Sequence, residues 1–209
     1  MSDSGRVRFQ RAFSVSRETM QRLEIHAALL KKWNPRINLV SDRTLSEMWD
    51  RHFADSAQIL GLAPVRATRW ADLGSGGGFP GVVLAILAAE SRSGAKFTLI
   101  ESDTRKVAFM NTVLRETGVD AKVLCERIEV APPQAADVVT ARALAPLDKL
   151  IGYAHRHLSS VGVAIFPKGA NAENELKTAV ARWRFRLEKI PSSTDPSAVI
   201  LKMGDIQNV

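Results

Sequence analysis

The segment Asp72-Leu73-Gly74-Ser75-Gly76-Gly77-Gly78-Phe79-Pro80-Gly81 constrains this chain more than any other. It follows one short apolar run, Arg69–Leu73, and leads into a longer one, Pro80–Ala89. Glycine has no Cβ, so it turns at positive φ without strain and lets the backbone approach a neighbour closely. Four of the five positions from 74 to 78 are glycine, and proline at 80 suits a first helical turn. Such a loop between a strand and a helix reads as the first junction of a βαβ unit. The chain beyond it fits. Phe97–Ile100, Ala121–Cys125, Val138–Ala141 and Val161–Phe166 read as further strands, and Thr104–Thr117, Pro146–His157 and Asn171–Ala181 as intervening helices. Val161-Gly162-Val163-Ala164-Ile165-Phe166 is apolar on both faces, as a parallel strand covered on two sides must be. Phe185–Ile190 and Ala198–Met203 are joined too closely for a crossover helix, so they pair antiparallel. The expected fold is α/β: a doubly wound, mostly parallel seven-stranded sheet with an antiparallel C-terminal strand pair.

Residues 1–66 read as a helical N-terminal extension packed on a core of residues 67–209. Ser16 caps a helix that carries Met20, Leu23, Ala27 and Leu30 on one face and Trp33 at its end. Asn34-Pro35 is expected to stop it, because proline disfavours helix at the residue before it. Thr44-Leu45-Ser46-Glu47 has the pattern of a capping box, opening a helix that Gly61 ends. The longest apolar run is about half of the roughly 20 residues that cross a bilayer. The first residues have no apolar core of the secretory kind. These features point to a cytoplasmic protein with no membrane partner. The single cysteine, Cys125, ends an apolar strand and is assigned to the core. His155 and His157, at a helix end, suit cations that complement the dipole. No Cys, His or carboxylate cluster has metal-ligand spacing, so no metal is expected.

The glycine loop also selects a ligand. A dinucleotide fingerprint needs a third glycine where Phe79 stands, and a phosphate loop needs Gly-Lys-Ser/Thr, which is absent. What stands is Asp72-x-Gly74-x-Gly76-x-Gly78. A carboxylate two residues ahead of the first glycine suits a cationic ligand, and S-adenosylmethionine carries an ammonium and a sulfonium. The second strand ends in Glu101, placed to accept hydrogen bonds from ribose hydroxyls. Together these resemble the class I S-adenosylmethionine-dependent methyltransferases.

Further segments narrow the resemblance. They are Trp33-Asn34-Pro35-Arg36-Ile37-Asn38-Leu39, Arg51-His52-Phe53-Ala54-Asp55-Ser56, the loop itself, Thr140-Ala141-Arg142-Ala143 and Phe166-Pro167-Lys168-Gly169. From about residue 20 to the C-terminus the chain resembles the bacterial 16S rRNA (guanine(527)-N(7))-methyltransferases, also called the glucose-inhibited division protein B family. It departs mildly, with Gly77 where proline is frequent and Phe79 where leucine is. The resemblance places cofactor contacts on Gly74, Phe79, Ile128, Glu129 and Arg142, beside the Asp72, Gly76, Gly78 and Glu101 of the loop reading. The partner it implies is 16S rRNA, in the small subunit or an assembly intermediate.

The composition agrees with an anionic partner. Twenty-nine Lys and Arg against 22 Asp and Glu give +7, which concentrates polyanions near the surface. Guanine N7 has a lone pair and no proton at neutral pH, so no general base is needed and none stands out. Arg142 and Lys168, each just after a strand, are the candidates for substrate binding and catalysis. Arg182, Arg184 and Arg186 alternate with Trp183, Phe185 and Leu187, so a strand there points three arginines to one face. Arg184 is the third substrate-binding candidate. His52 remains ambiguous between a site role and a tie between the N-terminal helices and the sheet. A small-molecule methyltransferase, and a cofactor-binding RNA assembly factor without turnover, remain alternatives.

Overall fold

In the computed structural model, which describes residues 4–209, seven strands form one sheet. They are β1 Arg69–Leu73, β2 Lys96–Glu101, β3 Lys122–Cys125, β4 Ala136–Thr140, β5 Leu158–Lys168, β6 Trp183–Pro191 and β7 Val199–Asn208. Their order is β3-β2-β1-β4-β5-β7-β6. The first five are parallel, and β7 runs antiparallel between β5 and β6. The helices are α1 Gly5–Phe13, α2 Arg17–Ile37, α3 Asp42–Leu45, α4 Asp55–Leu62, α5 Gly81–Ser91, α6 Thr104–Thr117, α7 Leu147–His157 and α8 Ala172–Ala179. A π-helical turn, Trp49–Ala54, leads directly into α4.

The period of two along a strand sorts the interior into two layers. Trp70, Phe97, Leu99, Val138, Val163 and Ile165 face a core shared with α2, the π turn, α4, α5 and α6. Their neighbours Ala71, Leu73, Ile100, Val139, Ala164 and Phe166 face the core under α7 and α8. The helices before residue 66 therefore pack over α5 and α6 and share their core. Strand order reverses between β1 and β4, which places the carboxyl-end crevice of the sheet at that point.

Several local expectations are corrected. Helix α2 does not stop at Asn34 but passes through Pro35 to Ile37, and Asn38 ends it at φ 49°. The buried Asn34 side chain explains how. Its Oδ1 accepts from the amides of Leu39 and Val40, both at 2.9 Å, and its Nδ2 donates to Asp42 Oδ1 at 2.9 Å. The chain leaving the helix is thus satisfied by the residue expected to break it. No capping box forms at Thr44. Ser41 precedes the short α3, and the Thr44 hydroxyl bonds His52 instead. Helix α4 continues past Gly61 to Leu62. Helix α5 begins at Gly81, with Pro80 just ahead of it. Cys125 is exposed at the end of β3, because β3 is an edge strand. His157 is fully buried, where desolvation lowers its pKa, so it is no helix-end cation. Arg182 precedes β6, and a bulge between Arg184 and Arg186 breaks the expected alternation.

Asn34→Ala should leave two loop amides without their acceptor. The expected loss is about 2–3 kcal/mol, or roughly 5–10 °C in melting temperature for a chain this size. Thermal and urea unfolding measure it. A loss below about 0.5 kcal/mol would show that water replaces the carboxamide.

Candidate functional site

At the carboxyl ends of β1, β2 and β4 lies a cavity of about 350 Å³ lined by Gly74, Gly76, Glu101, Ile128, Glu129, Arg142 and Tyr153, among others. The glycine loop forms its floor. The amides of Gly74 and Ser75 donate to the carbonyl of Ile100 at 2.8 and 3.2 Å, which hooks the loop over β2. Gly74 takes φ +67°, and a Cβ there would lie 2.6 Å from Leu144 Cδ1. Only glycine combines that dihedral with that approach. Glu101 Oε2 accepts from the Gly76 amide at 3.0 Å, and Oε1 from the Ser102 and Asp103 amides at 2.7 and 2.9 Å. A carboxylate offers about four acceptor positions, so one remains for a ligand hydroxyl. Ile128 is buried with its carbonyl against His157 Nε2 at 2.9 Å. Glu129 accepts the Tyr153 hydroxyl. Gly74, Gly76, Glu101, Ile128 and Glu129 are therefore brought together on one lining.

Three other expected cofactor contacts are not on this lining. Asp72 is buried behind the loop and spends its carboxylate on protein groups: Oδ2 accepts from the Gly81 amide at 3.1 Å, and Oδ1 from Thr140 Oγ1 at 2.7 Å. It clasps the start of α5 to β4 and does not face a cationic ligand. Burial raises its pKa to about 6. Gly78, at φ +84°, packs against Val82 and His26. Phe79 is buried, stacked on His26 with centroids 4.9 Å apart and edge-on to Phe53 at 5.2 Å.

A second cavity, of about 300 Å³, opens between the π turn, the end of β5 and the β6–β7 connection. It shares Arg142 and Ala143 with the first. Ala143 is held at φ 52°, a conformation that costs a residue with a Cβ and that clusters at functional sites. The Arg142 guanidinium is fixed on several sides. Nη1 donates to the Arg51 carbonyl at 2.9 Å and lies 3.4 Å from Asp55 Oδ2, and Nη2 donates to His52 Nδ1 at 2.8 Å. Its carbon stands 5.3 Å from the centroid of the Phe79 ring. Arginine keeps its charge even when buried, so His52 must present a bare Nδ1. Its Nε2–H then donates to Thr44 Oγ1 at 2.8 Å. His52 thus positions Arg142, which resolves its ambiguity in structural terms. Lys168 also lines this cavity, but its Nζ is 2.6 Å from Glu175 Oε2, and both side chains are largely buried.

Arg184 is not brought to either cavity. It pairs across from Gln207, three residues beyond Gly204, which opposes Val163 at the middle of β5, so Arg184 lies level with the first residues of β5. That is the opposite end of the sheet from Lys168. Sequence reasoning missed Thr44, Glu175, Thr194, Asp195 and Tyr153. Glu175 and Lys168 lie on different elements, and Asp195 meets Arg51 across 144 residues, so no local pattern marks them. Among the described residues no group of three His, Cys, Asp or Glu side chains is arranged to hold a metal.

The buried ionisable groups have opposite pH signatures. Burial lowers His26 to about 4, and burial followed by the Arg142 charge lowers His52 to about 3. As pH falls below about 6.5, the unfolded chain takes up two protons that the folded one refuses, and stability falls. Asp72 opposes this, because its raised pKa lets the folded state bind a proton first between about 6 and 4. Across pH 4–6 these three groups leave the unfolded state with one excess proton, about 1.4 kcal/mol of stability lost per pH unit on acidification. His52→Gln should remove one proton's worth of that slope in urea titrations over pH 4–6. An unchanged slope would show that His52 is charged in the folded protein.

Comparisons with known proteins give the same frame. Residues 19–198 match the family described as rRNA small subunit methyltransferase G. A protein of that name from a Ruegeria species is 51% identical over 93% of this chain and 95% of its own length. A TehB-like SAM-dependent methyltransferase from Corynebacterium glutamicum shares the fold at TM-score 0.53, with 17% identity over 72% of this chain and 86% of that one. A methyltransferase from Geobacter sulfurreducens does so at TM-score 0.56, with 14% identity over 87% and 88%. With its glycine loop, its Glu101 and its paired cavities in place, this chain belongs to the rRNA small subunit methyltransferase G family.

Proposed function

We propose that this protein transfers the methyl group of S-adenosylmethionine to N7 of a guanine in a loop of 16S rRNA near the decoding centre. It acts in the cytoplasm on the small subunit or an assembly intermediate. The observation that carries this reading is the meeting of two cavities at Arg142 and Ala143. One holds a donor and the other an acceptor base. Family membership supports an S-adenosylmethionine-dependent rRNA methyltransferase, and no helix among the described residues is long and apolar enough to cross a membrane.

The first cavity fits the cofactor. The positive-φ turn at Gly74, the spare acceptor of Glu101 and the Ile128–Glu129 wall suit an adenosine with its ribose. Gly74, Gly76, Glu101, Ile128 and Glu129 would hold it, while Asp72, Gly78 and Phe79 set the loop behind them. When bound, the cofactor supplies an activated methyl group. The chain's own residues then have four tasks: binding, orientation, exclusion of water and control of charge.

Guanine enters the second cavity. N7 needs no proton removed, which fits a cavity whose histidine, His52, has both ring nitrogens engaged by Thr44 and Arg142, and whose Arg142 cannot act as a base. N7 lies in the deep, narrow major groove of A-form RNA, so the target must be in a loop or extruded. Arg142, at the junction, donates to O6 or a phosphate. Lys168, neutralised by Glu175, lies further out. Methylation at N7 makes guanine cationic. This cavity balances Arg51, Arg142 and Lys168 against Asp55, Glu175 and Asp195, so among the described residues it presents no unpaired cation to repel the new charge. Arg184, at the far end of the sheet, serves as a remote phosphate contact.

Labelled S-adenosylmethionine and small subunits from cells lacking the enzyme test the reading, with mapping of the modified base. Arg142→Ala should lower the saturated single-turnover rate at least about tenfold, or roughly 1.4 kcal/mol, and also weaken cofactor binding. Arg184→Ala should leave that rate unchanged and flatten the log-affinity against log-salt slope by about one unit. Methyl transfer to another atom, or none, would overturn the assignment. The rate should also be nearly flat between about pH 6.5 and 8.5, and a tenfold rise per unit would reveal an essential base.

A further inference from the structure

We infer that Arg51, at the rim of the guanine cavity, is a binding site for an RNA phosphate, and that Asp195 occupies this site until substrate arrives. The inference rests on the rRNA reading above. Arg51 Nη1 lies 3.0 Å from Asp195 Oδ2, with the two side chains 46% and 30% exposed. Both residues line the second cavity. Arg51 is on the π turn, and Asp195 is on the connection between β6 and β7. The Arg51 carbonyl also accepts from Arg142 Nη1, so whatever its guanidinium binds lies next to the junction of the two cavities.

The connection is built to leave. It closes one wall of the cavity with Thr194, Asp195 and Ala198. Its ties to α4 are polar throughout. Gln58 Nε2 donates to Ser192 Oγ at 3.2 Å, the Ser193 amide donates to Gln58 Oε1 at 2.9 Å, and Thr194 Oγ1 donates to Asp55 Oδ1 at 3.2 Å. Residues 192–198 are Ser-Ser-Thr-Asp-Pro-Ser-Ala, without a large apolar side chain to anchor them. Water can replace each of these contacts when the strap lifts.

Chemistry identifies the replacement. A phosphodiester offers the same single charge and two-oxygen face that Asp195 offers, and a guanidinium binds either in fork geometry. The exchange is charge for charge. The other two cation pairs in the cavity do not fit this role. Arg142 and Asp55 are each only 17% exposed, Lys168 and Glu175 are 12% and 19% exposed, and Glu175 also holds the Leu147 amide at 2.7 Å. With Asp195 in place, a guanine lacking a phosphate at this distance gains nothing from Arg51. The device therefore favours a base carried on a chain over a free nucleobase.

The test is a double-mutant cycle on small subunits lacking the modification, read by filter binding over a salt series and by single-turnover methyl transfer. Asp195→Asn should tighten binding at least about threefold. Arg51→Ala should weaken it at least about tenfold and flatten the salt slope by about one unit. In the Arg51→Ala background, Asp195→Asn should change affinity by less than about twofold. Arg51→Gln takes the place of Arg51→Ala if calorimetry with the cofactor shows that the latter does not fold. If Asp195→Asn weakens binding or leaves it unchanged, the inference is overturned. It is also overturned if the gain persists without Arg51, because that is the general effect of removing a negative charge. Wild-type protein that methylates the subunits without coupling between 51 and 195 overturns this inference alone. Wild-type protein that neither binds nor methylates them overturns the underlying reading and this site with it.

Discussion

The guanidinium of Arg142 holds the site together. It joins the end of β4 to the π turn and the glycine loop, through its bonds to Arg51 and His52 and its contact with Phe79. A buried guanidinium cannot shed its proton, so each donor needs an acceptor. Those acceptors fix the neighbours in turn. His52 must be neutral with Nδ1 bare, Thr44 must receive its other ring nitrogen, and the turn around Arg51 must point its carbonyl inward. A π turn leaves its backbone groups aimed differently from an α-helix, and such turns are frequent at functional sites. Phe79 belongs to the same assembly, as a face for the cation rather than a wall for a ligand.

The fold was legible because its signals are local. Each parallel strand is a short apolar run and each helix an amphipathic stretch, so β1 and α6 fall on the expected residues. The glycine loop was legible for the same reason, since positive φ at Gly74, Gly76 and Gly78 is written in residue type. What was hidden depends on long-range partners. Asp72 reads as a ligand for a cation because a carboxylate beside glycines has no visible partner in sequence. In the structure it lies buried behind the loop, bonded to Thr140 and the Gly81 amide. Pro35 reads as a stop because the propensity rule is local, whereas Asn34 satisfies the exit by reaching to residues 39, 40 and 42. Cys125 is exposed because β3 lies at the sheet edge, and His157 is buried because its ring meets the Ile128 carbonyl 29 residues away, and neither is written in the local pattern. Arg184 reads as near the site because only topology shows which end of the sheet it occupies.

The charge arrangement follows a single logic. Seven excess positive charges favour polyanions near the surface, yet a cavity of the kind proposed above, where a base becomes cationic, cannot itself be strongly positive. The second cavity meets both demands by pairing its cations: Arg142 with Asp55, Lys168 with Glu175 and Arg51 with Asp195. These pairs differ in exposure, and therefore in what they can do. The buried ones hold geometry, because separating them would strand a charge away from water. The exposed one contributes little to stability and is free to exchange partners.

This bears on what residues 1–66 are for. They read as an extension on a methyltransferase core, and none of the described ones lines the first cavity. The second cavity takes Thr44, Arg51, His52 and Asp55 from that region, Lys168 and Glu175 from β5 and α8, and Thr194 and Asp195 from the last loop of the sheet. The glycine loop reaches the same helices through Phe79 and His26, the latter set by the Gly77 carbonyl at 2.8 Å. Removing the N-terminal helices would strip the acceptors from Arg142 and the packing from the back of the loop in one step. The two cavities therefore share a wall, and the helices that look appended to the core are the part that joins them.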